Sequence, residues 1–365
     1  MRAQTSLADR WSRFQGRIVV FERWRTRPAL TLTIVLLALW FCAPSLGARI
    51  EVGPDRTLKL PSDAEKIATD GDTIAIDPGR YLDCVVWSAN RLTIVGTTAG
   101  SVIITDKVCQ GKGIFVIRGD DTTVQKITFS RARDIDGNGA GIRLEGRNLT
   151  VEDSQFTNNE SGILANDNPG SEITIVNSEF VNNGSCQSGC AHALGVGRVG
   201  LLRVIKTKFW STKLAHSISS AALRNELTDD VIEDGPDGTS SFLIDLPIGG
   251  TLLLSNAILE KGPRTSNRNA AILIGGGRTL QPTKKLIITG SHFTNDTGGR
   301  ASFIVNWTST PPVLNENTFI GDVTPVSTSG AWVHRMRVVA GEVKDEARAM
   351  VVSVVHLVRL VLARI

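Results

Sequence analysis

The chain has a single tyrosine, Tyr81, in 365 residues, and five histidines. One tyrosine so near the N terminus argues against a tyrosine-based lyase mechanism. No Walker loop, nucleotide fingerprint or zinc signature occurs, which removes the common phosphate and metal chemistries. Basic charge is also scarce where it would matter. Residues 1–48 carry seven arginines against Asp9 and Glu22, which is +5 of the total of +4, so residues 49–365 sum to −1. A folded part without clustered base has no nucleic-acid footprint. Helical periodicity is missing through most of the chain, so a helix-layered enzyme is excluded too.

What is abundant is glycine, at 35 residues, together with asparagine, threonine and serine, a mixture that favours short strands and tight turns. The stretch LTVEDSQFTNN from Leu149 returns 24 residues later as ITIVNSEFVNN from Ile173. Taking the phenylalanine as a phase marker, Phe129, Phe156, Phe180, Phe209, Ile232, Ile258, Phe293 and Phe319 follow one another. The spacings run from 23 (Phe209 to Ile232) to 35 (Ile258 to Phe293). Five residues before the markers stand Val124, Val151, Ile175, Val204, Leu227, Leu253, Ile288 and Leu314. Apolar and polar residues alternate up to each marker, the period of a strand, and a second short strand such as GIRLEG or AAILIGG follows. Each unit reads as strand, turn, strand, loop. A unit this small cannot bury its own apolar face, so it must stack on its neighbours. The predicted fold is all-β: a single-stranded right-handed parallel β-helix, with Asn158–Asn159, Asn182–Asn183 and Asn295 at turns where asparagine amides bond from rung to rung.

The ends are expected to differ from the repeat. Arginines up to Arg27, the apolar run ALTLTIVLLALWFCA and the small residues of PSLGA make residues 1–48 a signal peptide, cleaved near Ala48, or else an uncleaved membrane anchor. Either places the protein outside the cytoplasm, in the periplasm or beyond. Export leaves four cysteines. Cys186 and Cys190 flank the short loop CQSGC, and Cys84 and Cys109 lie 25 residues apart, near one repeat period. Two disulfides are expected, zinc being the rival without a histidine at ligand spacing. The β-helix is expected over 49–320, with an N-terminal cap at about 49–80 that includes a short helix after Ser62. Residues 321–365 read as a linker and an amphipathic helix, EARAMVVSVVHLVRLVLARI, which either caps the last coil or lies on a membrane.

NGAGIRLEG, FTNNESGIL, SSFLIDLPIGG and EKGPRTSN, at these intervals, resemble an exported bacterial family of right-handed β-helix repeat proteins with the pectin-lyase-like fold. The resemblance covers about Gly53 to Gly277. It implies a fold rich in polysaccharide lyases, epimerases and hydrolases. The chain departs from the family pattern where HALGVG keeps His192 but has Gly195 in place of an aromatic residue. It departs again where AHSISSAA keeps His216 and Ser220 but has Ser219 and Ala221 in place of a basic pair, and where Ile248 interrupts a Pro-Asn-Gly-Gly pattern.

Stacked rungs align groups that are distant in sequence, so His192 and His216, 24 residues apart, are expected on one face with Asp245 of the next rung. Two imidazoles and a carboxylate suit proton abstraction from a sugar or acid–base hydrolysis, with these three as the catalytic set. Arg143, Glu233, Asp234 and Asp237 are the candidate substrate contacts. The EDGPDG carboxylates also suit turn formation, and although oxygen ligands could take Ca²⁺, their spacing matches no calcium loop, so no metal or cofactor is assigned. The expected partner of this face is an acidic polysaccharide bound by a monomer, with membrane contact confined to the two terminal segments. Against this stands a reading without catalysis, in which the face serves recognition or scaffolding in the envelope.

Overall fold

The computed structural model describes residues 47–328 other than 188, 278 and 279. The leader up to residue 46 and the amphipathic segment expected beyond 328 lie outside the described residues. Among the described residues no helix is long and apolar enough to cross a membrane.

The chain winds as a right-handed parallel β-helix with three sheets. The first has eleven strands, from Arg49–Val52 to Val313–Asn315; the second has ten, from Gly79–Tyr81 to Thr318–Ile320; the third has ten, from Val85–Trp87 to Val323–Ser327. Rungs pair in parallel register, so that Leu149 lies between Thr122 and Ile173, and Phe156 between Phe129 and Phe180. The third sheet takes in Val323–Ser327, beyond the boundary expected at 320. The helix Pro61–Glu65 lies at the N-terminal rung, and its Ala64 is part of the core.

Each rung has three strands rather than the two expected. What read as one strand up to the marker is two, broken by a corner residue in left-handed geometry: Lys126, Asp153, Asn177, Lys206, Asp229, Asn256, Gly290 and Glu316. The residue after that corner points inward as the marker does, three residues past the last inward residue of the first strand, as in Val151, Ser154 and Phe156, so the corner shifts the alternation by one. The same ladder corrects the phase of one rung. Leu259, three residues past Asn256, pairs with Ile232 and Phe293 and is buried, while Ile258 points outward and is 45% exposed. Leu254, not Leu253, is likewise the core residue beside Leu227. A one-residue slip moves a strand's whole apolar set to the other face.

Inside, Phe129, Phe156, Phe180 and Phe209 stack with ring centroids 5.2, 4.6 and 4.6 Å apart. Each such buried side chain contributes roughly 1.5–3 kcal/mol over exposure. At the corner between the second and third sheets Asn159 and Asn183 are buried and linked: Asn159 Nδ2 donates to Asn183 Oδ1 at 3.1 Å, and the two amides also donate to the Phe129 and Phe156 carbonyls. The expected asparagine ladder is therefore present, and it satisfies backbone groups that the turn leaves unpaired. Cys84 is bonded to Cys109, and Cys186 to Cys190, where the second bond closes a two-stranded antiparallel clip.

Candidate functional site

The loops between the second and third sheets vary most in length, and the expected site residues follow them. His192 and His216 each stand two residues before the paired Leu194 and Ile218, so both enter the third sheet at equivalent positions. Their rings stack at 4.7 Å, and Phe242 of the next rung continues the row at 5.4 Å. Asp245 pairs with Ser219, and its Oδ2 lies 3.5 Å from His216 Nε2. The structure thus brings His192, His216 and Asp245 together on one face. Arg143 stands in the column of Asp245, below Leu164, Gly195 and Ser219. At about 4.8 Å per rung the two are about 19 Å apart.

The protons on this face are set by the backbone. His192 Nδ1 accepts the His216 amide at 3.2 Å, and His216 Nδ1 accepts the Phe242 amide at 3.2 Å. Both rings therefore carry their proton on Nε2 when neutral, the tautomer following from the bond made by the other nitrogen. Burial holds them neutral: it pushes His192 down to about 4 and His216 well below its usual value, where the neighbouring His192 and Lys261 add repulsion. An imidazole whose lone pair caps an amide is a donor, not a base. The carboxylate of Asp245 is the group on this face suited to accept a proton. Arg143 is half-buried, with Nε lacking a hydrogen-bond partner, and burial lowers its pKa.

The other carboxylates are elsewhere. Glu233 lies on the outer side of the second sheet between Trp210 and Glu260. Asp237 is exposed and pairs with Arg264 at 3.0 Å. Asp234 corrects the expectation of a substrate contact, because it is fully buried with Oδ2 3.4 Å from the equally buried Lys261 ammonium. Lys261 Nζ also donates to the Ser241 carbonyl at 2.8 Å and to Ser240 Oγ at 3.2 Å. This pair fixes the loop that delivers Phe242 to His216. No group of three histidine, cysteine or acidic side chains is placed to hold a metal among the described residues.

Sequence reasoning missed Lys261 and a second feature on the same corner. An open depression of about 550 Å³ is lined by Trp210, Lys213, Asp237, Thr239 and Arg264, among others. Its signal was legible: after the marker, where Phe129 and Phe156 are followed by Ser130 and Thr157, Phe209 is followed by a tryptophan.

Comparisons with known proteins agree with the winding. Residues 69–197 match the family model described as right handed beta helix region. An alginate lyase from Paenibacillus sp. superposes with a TM-score of 0.50 at 14% identity, covering 72% of this chain and 95% of that one. A pectate lyase gives 0.45 at 11% identity, over 78% and 82% of the two chains, and a pectin methylesterase from Erwinia chrysanthemi gives 0.43 at 11%, over 77% and 94%. No curated protein matches the sequence. The chain is a right-handed parallel β-helix protein.

Proposed function

We propose that the protein binds an extended acidic polysaccharide along the outer face of its third sheet. The observation that carries this is the convergence of His192, His216 and Asp245 within contact distance on one face, with Arg143 in the same column. Rungs repeat at about 4.8 Å, so a linear polymer lying along the axis meets an equivalent position at each rung. Asp245 accepts from sugar hydroxyls, the imidazole Nε2–H groups donate, and Arg143 takes a carboxylate. The alginate lyase that shares the fold acts, by its name, on such a polymer, but fold alone does not transfer activity. Two disulfides fit an oxidising compartment outside the cytoplasm, where such polymers are met.

A second reading, modification of the polymer, is favoured by the contact between Asp245 and His216. In it Asp245, not a histidine, takes the proton from the sugar, and His216 orients the carboxylate. Full-length protein offered alginate and polygalacturonate separates the two. Binding weakened by Arg143→Ala and Asp245→Asn, without new unsaturated ends, reducing ends or epimerised residues, is the expected outcome of the first reading. Products lost with Asp245→Asn establish the second. Folded protein that is retained by no acidic polymer ends both.

A further inference from the structure

We infer that the depression around Trp210 is a second, independent sugar site, built for a residue bearing one carboxylate between neutral units. It opens on the second sheet's side of the corner and does not depend on the third-sheet reading. The indole is the large apolar surface a sugar ring's C–H face requires. The Lys208 ammonium lies 4.6 Å from its centroid, and the backbone of Gly235 packs so closely that a Cβ there would come within 2.7 Å of the ring. The ring is therefore held in place before any ligand arrives, which lowers the ordering cost of binding.

Two cations rim the depression. Lys213 Nζ donates to the Asp237 carbonyl at 2.8 Å and makes no ion pair among the described residues. Arg264 Nη1 donates to Asp237 Oδ1 at 3.0 Å, leaving the far side of the exposed guanidinium for a ligand. Thr239 and Asn182 supply neutral hydrogen-bonding groups. An aromatic floor, an ammonium, a planar cation and neutral donors are the complement of one uronate residue.

The surroundings set the charge density of the ligand. Along the second sheet Trp210 is followed by Glu233 and then Glu260, and Lys208 stands above Glu179. A polymer charged at every unit would meet these carboxylates within one or two rungs and be repelled. A chain in which uronate alternates with a neutral sugar puts its carboxylate on Lys213 and Arg264 and its neutral unit beside the glutamates. The same glutamates disfavour a nucleic-acid strand.

The test uses the full chain with hyaluronan oligosaccharides, which alternate uronate and neutral sugar, with oligogalacturonate, and with carboxyl-reduced hyaluronan oligosaccharides, measured by titration calorimetry. Hyaluronan oligosaccharides are expected to bind tightest. Trp210→Ala should weaken them at least about tenfold, the mark of a central aromatic anchor. Lys213→Met with Arg264→Met should abolish the preference over the carboxyl-reduced form. The surface double variant keeps the test decisive should Trp210→Ala fail to fold. Equal affinity for carboxylated and reduced ligands, affinity untouched by either set of substitutions, or tighter oligogalacturonate binding that Trp210→Ala abolishes overturns the proposal. Loss of hyaluronan binding with Asp245→Asn also overturns it, by assigning that binding to the third sheet.

Discussion

Two corners of this β-helix are built on opposite plans. The corner between the first and second sheets has one left-handed residue at eight successive rungs, followed at six of them by a small polar side chain that bonds to the rung before. Ser178 Oγ accepts the Ser154 amide at 3.2 Å, Asp230 Oδ1 accepts the Thr207 amide at 2.8 Å, and Asn317 Oδ1 accepts the Ser291 amide at 2.9 Å. The corner between the second and third sheets changes from rung to rung. It carries the buried Lys261–Asp234 pair, a disulfide clip, the histidine row and the Trp210 depression. Regularity at one corner holds the register; freedom at the other lets side chains be placed for recognition. Loops that carry function on a rigid scaffold are the general form of this division.

The largest effect that separates the corners is expected at Lys261. Its ammonium is fully buried, and removing it leaves the Asp234 carboxylate buried without its cation. Lys261→Met should cost about 3–5 kcal/mol, and Lys261→Met with Asp234→Leu should recover most of it, since an apolar pair of similar volume often replaces a buried ion pair without loss. Urea unfolding at neutral pH measures both. If the single variant unfolds like the parent, the irregular corner is not pinned by this pair, and the contrast between the corners is lost.

The corners also respond to pH in opposite senses. Burial raises Asp230, at the regular corner, to about 7, so the folded state holds a proton that the unfolded state releases near 4. Its contribution is complete below about 4 and disappears as pH rises through 7, a loss of at most about 4 kcal/mol. The histidines at the irregular corner are lowered, to about 4 for His192. Their contribution is complete above about 6.5 and is lost as pH falls through the folded values. Between pH 4 and 7 the two contributions oppose each other in the unfolding midpoint. Asp230→Asn should make stability rise more steeply with pH across that range, and His192→Gln, whose amide oxygen can still accept the His216 N–H, less steeply. A slope unchanged in both variants would place the titrations elsewhere.

How much of this was legible follows the same division. The phenylalanine period, the asparagine ladder and both disulfides follow from local residue types and a repeat of about 23–29 residues, because stacked rungs share one chemistry. The phase slip at Ile258 arose in LLLSNAILE, where apolar residues are nearly continuous and alternation does not choose a face. Asn256 would have chosen it, since the left-handed residue stands three before every marker. His192, His216 and Asp245 could be set on one face from register alone. That the histidine lone pairs cap backbone amides could not, because it depends on ring orientation rather than on spacing. Lys261 reads in sequence as an ordinary surface lysine. Its burial depends on Asp234, whose loop has no counterpart in neighbouring rungs.

The smallest expected effect is the sharpest test of the ladder itself. Side chains at the left-handed corner bond in pairs, Asn177 Nδ2 to Asp153 Oδ1 at 2.6 Å and Asn256 Nδ2 to Asp229 Oδ1 at 3.1 Å, and Lys206 stands between the pairs at φ 51°. Lysine has no short amide to join them and meets the full steric cost of the left-handed region, whereas asparagine tolerates it. Lys206→Asn should therefore stabilise the protein by about 0.5–1 kcal/mol, from relief of that cost and from a new bond to the ladder. Leu214, at φ 63° on the irregular corner, supplies the comparison, because its side chain is exposed and takes no part in the Asn159–Asn183 ladder. Leu214→Asn relieves the same backbone cost without gaining a ladder bond. A larger gain at Lys206 than at Leu214 in thermal unfolding isolates the cooperative part of the regular corner. Equal gains would mean that each rung turns its corner independently and that the ladder holds no register of its own.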